Sequence, residues 1–128
     1  MIFGIGVDAL AAERVSKVLE RHGERFIERL LMPQERVQLD RTNRRARFLA
    51  MRFAAKEAIV KAMGTGFAHG VWIRDVGVVQ NGFGRPEVVY SPRGERVRRA
   101  LGIGEGHVTL SDEAGLVIAV AVLMKAGQ

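Results

Sequence analysis

Four side chains with catalytic potential stand out in this sequence: two carboxylates, one ammonium group and one imidazole. Asp8 follows a short apolar run, and Glu57 and Lys61 lie four residues apart in an alanine-rich segment. Two carboxylates suit a hard divalent cation such as Mg²⁺, which takes oxygen ligands from protein, water and phosphate. Lys61 suits a phosphate group, and His107 suits an acid, a base or a phosphate contact. These residue types indicate a Mg²⁺-dependent enzyme that acts on a phosphorylated compound.

Each of these residues also has a purely structural interpretation. Asp8 is a good residue to cap the N-terminus of a helix. Glu57 and Lys61, at positions i and i+4, form the kind of helix pair that contributes a few tenths of a kcal/mol. A lone histidine such as His107 is more often structural than catalytic. For Glu57 and Lys61 both interpretations stay open, because apolar residues surround the pair.

A long helix over residues 47–66 is expected to position Glu57 and Lys61. Its residues are good helix formers, no proline interrupts it, and Gly64 supplies a C-terminal stop. Apolar residues fall on two sides of this helix, whereas a surface helix normally has one apolar stripe. The pattern predicts a helix that packs against two partners; the residues concerned are Phe48, Met51, Ala55, Ala58 and Ala62 on one side and Leu49 and Val60 on the other.

The other elements predict a small single domain over residues 1–128, of the α+β class, with an antiparallel sheet packed against the long helix. A first strand ends at Asp8, and a helix follows from about Ala9 to His22. Gly102, Gly104 and Gly106 are expected to form a flexible connection. The remaining segments are short helical stretches at 26–31 and 34–39, a hairpin with strands at 71–78 and 87–90, a helix at 93–101, and paired strands at 107–111 and 116–124.

Composition narrows the class of protein and its partners. The chain has 128 residues, which fits one domain, and no cysteine, which excludes a disulfide framework and a thiolate metal site. It has no apolar run of membrane length and no signal-peptide pattern, so a cytoplasmic enzyme without a membrane association is expected. It also lacks the histidine spacing of a zinc site. A net charge of +6 favours acidic partners such as nucleic acid, anionic lipid, phosphorylated ligands or an acidic protein.

A basic stripe lies along the predicted first helix. Arg14, Lys17 and Arg21 are spaced at i, i+3 and i+7, which places them on one helix face. Such a stripe is usually a solvated surface, and a docking surface for an acidic partner is the alternative.

A non-enzymatic module that binds nucleic acid is the rival interpretation of the whole chain. It would explain the basic charge, but it gives Asp8 and Glu57 no role, and the sequence has few aromatic residues near its arginines to stack on bases. The arginines it would use are Arg14, Arg21, Arg44, Arg45, Arg47, Arg98 and Arg99.

Five segments together resemble the holo-[acyl-carrier-protein] synthase family of 4′-phosphopantetheinyl transferases. They occur in family order and span nearly the whole chain, and the pairing of the first two segments is highly specific. The segments are GIGVD at 4–8, RFAAKEA at 52–58 with Lys61 after it, GTG at 64–66, NGFGRP at 81–86 and HVTLSDE at 107–113.

The resemblance implies a reaction and a role for each motif. Members of the family transfer 4′-phosphopantetheine from coenzyme A to a serine of apo acyl carrier protein, and 3′,5′-ADP is released. By resemblance, Asp8 and Glu57 hold Mg²⁺, and Asp8, Glu57 and His107 form the catalytic group, any of which is a candidate base. The residues implied in contacts with coenzyme A are Lys61, Gly64, Thr65, Gly66, Arg85, Pro86 and His107.

The resemblance also implies two kinds of protein partner. The acidic acyl carrier protein would dock on Arg14, Lys17 and Arg21, which steers its approach through complementary charge. The family is usually trimeric with active sites between subunits, which would explain the two apolar sides of the long helix. One departure is Ala11, because many members carry glutamate three residues after the metal-binding aspartate.

Overall fold

The computed structural model describes residues 1–127 and has the α+β architecture expected from the sequence. A long helix lies across one face of an antiparallel sheet, and shorter helices and a hairpin surround it. In chain order the elements are β1 (Ile2–Ala11), α1 (Ala12–His22), α2 (Glu24–Leu30), α3 (Pro33–Leu39), α4 (Arg45–Met63), β2 (Val76–Gln80), β3 (Pro86–Tyr90), α5 (Pro92–Leu101), β4 (Ile103–Glu113) and β5 (Leu116–Lys125).

Helix α4 is the centre of the fold, and the prediction that it packs on two sides is confirmed. One side contacts β1 and β5, and other sides contact α1, α3 and β2. Most of its 19 residues are buried, including Arg52 and Lys56. The helix ends at Met63, because Gly64 adopts a left-handed conformation with φ of 80°. The predicted stop at Gly64 is thus confirmed, and within the 47–66 stretch Thr65 and Gly66 lie beyond the helix.

The larger sheet has the strand order β1-β5-β4, and both pairings are antiparallel. This confirms the predicted pairing of residues 107–111 with 116–124. Strand β1 continues to Ala11, since Ala9, Leu10 and Ala11 pair with Ile118, Val117 and Leu116. The predicted helix start at Ala9 is therefore wrong. Asp8 lies inside the strand, so the helix-cap interpretation of Asp8 is wrong as well.

The glycines at 104 and 106 belong to β4 rather than to a flexible connection. A Cβ atom on Gly106 would lie 2.8 Å from the Leu123 side chain, and one on Gly104 would lie 2.9 Å from the Ala126 backbone. These glycines therefore permit close packing against β5 and the residue that follows it, which the sequence pattern did not reveal. Only Gly102, with φ of 78°, serves as the helix stop before the strand.

Two glycines of β1 bring the strand against the backbone of α4. A Cβ atom on Gly4 would lie 2.0 Å from the carbonyl oxygen of Ala62, and one on Gly6 would lie 2.0 Å from that of Ala58. No larger residue fits at either position without displacing the helix. This contact sets the short distance between β1 and the helix that carries Glu57 and Lys61.

Strands β2 and β3 form the predicted hairpin, although β2 is shorter than expected. It begins at Val76, because residues 71–75 form turns in which the Asp75 carboxylate accepts a hydrogen bond from the backbone of Trp72. At the hairpin end, Asn81 Oδ1 accepts hydrogen bonds from the backbone N–H groups of Phe83 and Arg85. The turn chemistry of the NGFGRP segment thus fixes the position of Arg85 and Pro86.

A buried ion pair links α3, α4 and the start of β2. Lys56 Nζ lies 2.6 Å from Glu35 Oε1, and both side chains are 0% exposed. The ammonium also donates to the carbonyl oxygens of Ile73 and Val76, at 3.0 and 2.7 Å. Glu35 accepts hydrogen bonds from the backbone N–H groups of Met32 and Val78. The pair is therefore fully hydrogen-bonded, which is the condition under which buried charges are tolerated.

The sheet face opposite α4 is apolar and open. Ile5 is 61% exposed and Val7 is 54% exposed, and Ile118 and Leu116 on β5 are exposed beside them. A contiguous apolar patch of this kind marks an interaction surface more often than free solvent. Among the described residues, no helix has the length and apolar character required to span a membrane.

Candidate active site

Asp8, Glu57 and Lys61 meet where β1 crosses α4. Lys61 Nζ lies 3.3 Å from Asp8 Oδ1 and 3.0 Å from the carbonyl oxygen of Val7. Within residues 1–127 no direct ion pair joins Lys61 to Glu57, and Lys61 pairs with Asp8 instead. The functional interpretation gains a geometric basis, because the fold brings two carboxylates and one ammonium to a single place.

The environment of Glu57 differs from that of an ordinary surface carboxylate. Partial burial raises the pKa of Glu57, and the nearby negative charge of Asp8 raises it further, while Lys61 opposes the rise. Two like charges in a partly desolvated place favour a bound cation or proton. Perturbation of this kind beside a cavity is typical of a functional site.

A cavity of about 330 Å³ opens beside the two carboxylates. Asp8, Glu57 and Arg14 are its charged lining residues, and apolar side chains form the rest of its wall. The apolar lining, which sequence reasoning did not assign to the site, consists of Leu10, Val15, Val18, Phe26 and Phe53. Leu10, Val15 and Val18 were expected on the apolar side of the first helix, and only the fold shows that they border a site with Phe26 of α2 and Phe53 of α4.

A second cleft, of about 900 Å³, holds three of the other predicted residues. Arg85 and Pro86 from the hairpin and His107 from β4 line it, together with Tyr90 and Arg98. Burial raises the pKa of Tyr90 to about 12, with Arg98 opposing the rise. Sequence reasoning did not single out Tyr90, because one tyrosine in a strand carries no distinguishing pattern.

Asp8 and His107 lie on opposite faces of the larger sheet. Through β5, His107 is in register with Ile5, whereas Asp8 is in register with Leu110. Side chains alternate between the faces of a strand, so Asp8 faces α4 and His107 faces away from it. Within one chain, His107 does not join Asp8 and Glu57.

The Gly64-Thr65-Gly66 segment closes the C-terminal turn of α4. The backbone N–H groups of Thr65 and Gly66 both donate to the carbonyl oxygen of Val60, and the Thr65 hydroxyl donates to that of Gly66 at 2.8 Å. This arrangement places the segment directly after the end of α4, a few residues beyond Lys61.

The basic stripe of α1 borders the carboxylate cavity. Arg14, Lys17 and Arg21 are exposed, and Lys17 lies 3.5 Å from Glu13, so one of its three charges is partly neutralised. A neighbouring pocket of about 300 Å³ shares Val18 and Phe26 with the first cavity. The basic surface extends further than predicted, since this pocket is also lined by His22, Arg25 and Arg29.

A basic groove of about 400 Å³ lies at the N-terminal half of α4. Arg52 in this groove is 3% exposed, and its guanidinium lies 4.3 Å from the centre of the Phe48 ring. Its Nε atom has no hydrogen-bond partner among the described residues, and burial lowers the pKa of Arg52. Sequence reasoning passed over Arg52, although a charge amid phenylalanine and alanine residues was an available signal.

This fold with its paired carboxylates belongs to a known class of transferase. The family model described as the 4′-phosphopantetheinyl transferase superfamily matches residues 4–121. The match includes both carboxylates, the long helix and His107. The class of the protein is therefore that superfamily.

Individual relatives give the narrower family. The chain is 44% identical to the holo-[acyl-carrier-protein] synthase of Halorhodospira halophila, over 97% of this chain and 98% of the relative. The crystal structure of the synthase from Neisseria meningitidis superposes with a TM-score of 0.92 at 35% identity, covering 98% of this chain and 100% of that one. The synthase from Bacillus anthracis, solved in complex with CoA (3′,5′-ADP), gives a TM-score of 0.81 at 32% identity, covering 98% and 99%.

The chain belongs to the holo-[acyl-carrier-protein] synthase family, and it is an enzyme of that family. The resemblance stated from the sequence motifs is thereby confirmed, as is the predicted fold. The roles of the individual residues stay predictions.

Proposed function

We propose that this enzyme transfers 4′-phosphopantetheine from coenzyme A to a serine of an apo acyl carrier protein and releases 3′,5′-ADP. The observation that carries the proposal is a cavity lined by Asp8 and Glu57, with Lys61 paired to Asp8, in a chain similar over nearly its full length to enzymes of that name. In the reaction, the serine oxygen forms a bond to phosphorus and the pyrophosphate bond to the nucleotide breaks. The nucleotide named for the Bacillus anthracis complex supports the same donor here.

The carboxylate pair fits a divalent cation. Asp8 and Glu57 are close enough for the charge of one to raise the pKa of the other. No group of three or more potential ligands of the His, Cys, Asp or Glu type occurs within residues 1–127, and Mg²⁺ typically takes only one or two protein carboxylates beside water and phosphate. Asp8 and Glu57 would hold Mg²⁺, which supplies charge neutralisation at the pyrophosphate when bound.

The remaining steps fall to the chain's own residues. Lys61 donates hydrogen bonds to a phosphate of coenzyme A, and its ammonium offsets charge on the oxygens around the reacting phosphorus. The apolar wall formed by Leu10, Val15 and Phe53 limits the access of water to the site. The proton of the serine hydroxyl has three candidate acceptors: Glu57, Asp8 through a water molecule, and His107. Positioning and electrostatics provide most of the catalysis, as in phosphoryl transfer generally.

We further propose that the active enzyme is a homotrimer whose sites lie between subunits. The separation of His107 from Asp8 by the sheet supports this assembly, because a neighbouring subunit would have to supply the second group of residues. The exposed apolar face around Ile5 and Val7 provides a surface for the contact. Arg85, Pro86 and His107 of one subunit would then meet Asp8, Glu57, Lys61 and the Gly64-Thr65-Gly66 segment of the next.

The basic surface of α1 is the proposed docking site for the acidic carrier protein. The substitution Arg21→Glu is expected to raise the KM for the carrier protein about tenfold and to flatten its salt dependence, while the KM for coenzyme A stays unchanged. Steady-state kinetics at several salt concentrations would measure both effects. The control is Arg96→Glu, which makes the same charge change on the exposed surface of α5. Equal effects of the two substitutions would contradict a specific docking role for α1.

Intact-mass spectrometry tests the proposed reaction directly. An apo acyl carrier protein is incubated with the enzyme, coenzyme A and Mg²⁺, with a chelator in the control. A mass gain of one phosphopantetheinyl group that disappears with chelator is the expected result. The absence of a gain with several carrier proteins would contradict the proposal, and binding to arbitrary nucleic acid would be measured next.

The substitution Glu57→Gln tests the role of this carboxylate in the same assay. It keeps the size of the side chain and removes a ligand charge, so kcat/KM is expected to fall by about 10²–10³-fold. The Mg²⁺ concentration for half-maximal activity should also rise. Glu113→Gln, at an exposed site at the end of β4, is the matched control. An unchanged Mg²⁺ dependence in the Glu57 variant would refute its assignment as a ligand.

A further inference from the structure

The Asp8 carboxylate has two competing partners: the Lys61 ammonium, with which it forms an ion pair, and the proposed divalent cation. Asp8 is a proposed ligand of the divalent cation, yet Lys61 Nζ already lies 3.3 Å from its Oδ1 atom. The Asp8 side chain is only 17% exposed, whereas that of Lys61 is 50% exposed. The lysine thus approaches a largely covered carboxylate from the solvent side.

The position of Lys61 is defined by two acceptors on the same strand. Its ammonium donates to the carbonyl oxygen of Val7 at 3.0 Å as well as to Asp8. Both acceptors belong to β1, which is pressed against α4 at Gly4 and Gly6. The lysine therefore bridges α4 and β1, and half of its side chain is exposed to solvent.

A pyrophosphate can compete with Asp8 and the Val7 carbonyl oxygen for this ammonium. Hydrogen bonds between ionised partners are the strong ones, and a pyrophosphate offers several charged oxygens to one lysine. A cation that approaches Asp8 while Lys61 is in place meets a like charge within the same site. The two events are therefore favourable together: Lys61 moves to the phosphate, and the carboxylate becomes available to the cation.

We propose that Lys61 is the resident counter-ion of Asp8 and that the pyrophosphate of the substrate withdraws it, which couples substrate binding to divalent-cation binding. The proposal rests on the function proposed above for Asp8 and Lys61. By linkage, the coupling is reciprocal: the substrate tightens cation binding by the factor by which the cation tightens substrate binding. Without substrate, the enzyme retains a neutralised Asp8 and binds the cation weakly.

Binding of Mn²⁺ to the intact enzyme, followed by the electron paramagnetic resonance signal of the free ion, tests this coupling without an activity measurement. Coenzyme A is expected to tighten Mn²⁺ binding to the unmodified enzyme by at least about fivefold. In Lys61→Met, Mn²⁺ binding without coenzyme A should be about three- to tenfold tighter than in the unmodified enzyme. The gain on addition of coenzyme A should shrink correspondingly. Lys61→Gln serves as a second variant if the methionine variant folds poorly.

The control variant separates displacement of a counter-ion from the general loss of a positive charge. Arg14 lines the same cavity as Asp8 but forms no ion pair with it among the described residues, so Arg14→Met removes an equal charge without freeing the carboxylate. Equal tightening in the Arg14 and Lys61 variants, or none in the Lys61 variant, would overturn the proposal. If Asp8→Asn leaves Mn²⁺ binding unchanged in both states, the proposed metal site itself fails and the counter-ion proposal fails with it.

Discussion

Replacing Lys56 by methionine is expected to lower the free energy of unfolding by about 3–5 kcal/mol, a large share of the stability of a domain of this size. The ammonium is completely buried and bonds to Glu35 and to the carbonyl oxygens of Ile73 and Val76. Its removal leaves the Glu35 carboxylate as an uncompensated buried charge and leaves two carbonyl oxygens without this donor. Urea unfolding followed by circular dichroism, at one fixed protein concentration, measures the change.

The double variant Lys56→Met with Glu35→Leu is the control for this prediction. It removes both charges, and well-packed apolar replacements of buried ion pairs are often neutral or stabilising. We therefore expect the double variant to be more stable than Lys56→Met alone, with a large coupling energy between the two positions. A loss below about 1 kcal/mol in the single variant would show that the pair contributes little beyond the rest of the core.

Mixing two inactive variants, Asp8→Asn and His107→Ala, is expected to restore activity if the sites lie between subunits. In each variant alone, every site lacks one of the two side chains, either the Asp8 carboxylate or the His107 imidazole. In randomly mixed rings, half of the subunits carry an intact Asp8 and half of their neighbours carry an intact His107, so about one quarter of the sites are complete. Refolding the two variants together and assaying carrier-protein modification by mass spectrometry measures this recovery.

A second mixture provides the matched control. Asp8 and Glu57 lie in the same cavity of the same chain, so Asp8→Asn mixed with Glu57→Gln leaves every site incomplete. This mixture is expected to stay inactive. Equal recovery in both mixtures would refute the division of the site, and so would no recovery in the first mixture once formation of mixed trimers is established.

The sequence was informative about the fold because its local signals agreed with the long-range packing. The long helix followed from an uninterrupted run of good helix formers that ends at Gly64. The hairpin followed from the turn residues between 81 and 86. The pairing of the last two strands followed from the alternation at 107–111 and the nearly continuous apolar run at 116–124. Element ends were less predictable. The extension of β1 to Ala11 depends on pairing with β5, more than a hundred residues later in the chain.

The candidate site was predictable by residue type but not by geometry. The family resemblance implied one site for Asp8, Glu57 and Lys61, and the fold brings the three side chains near one another, yet helical spacing suggested Glu57 as the partner of Lys61. The actual partner, Asp8, is 53 residues away in sequence and is brought close by the glycines of β1. The same limit applies to Glu35 and Lys56, whose pairing has no local signature. The separation of His107 from Asp8 depends on strand register, which a single sequence does not specify.

The spacing of the first motif has a consequence for the insertions and deletions that this gene can tolerate. Gly4, Gly6 and Asp8 occupy alternate positions of β1, so all three face α4: two residues without side chains admit the helix, and the third presents a carboxylate to it. A one-residue insertion between Gly6 and Asp8 would place the carboxylate on the apolar outer face and a valine against the helix. A two-residue insertion would return the carboxylate to the face of β1 that contacts α4, but it would shift the carboxylate along the helix. The number of residues between Gly6 and Asp8 is therefore constrained, because it decides which face of β1 carries the carboxylate. Insertions and deletions there should be rarer in viable genes than substitutions at neighbouring outward-facing positions.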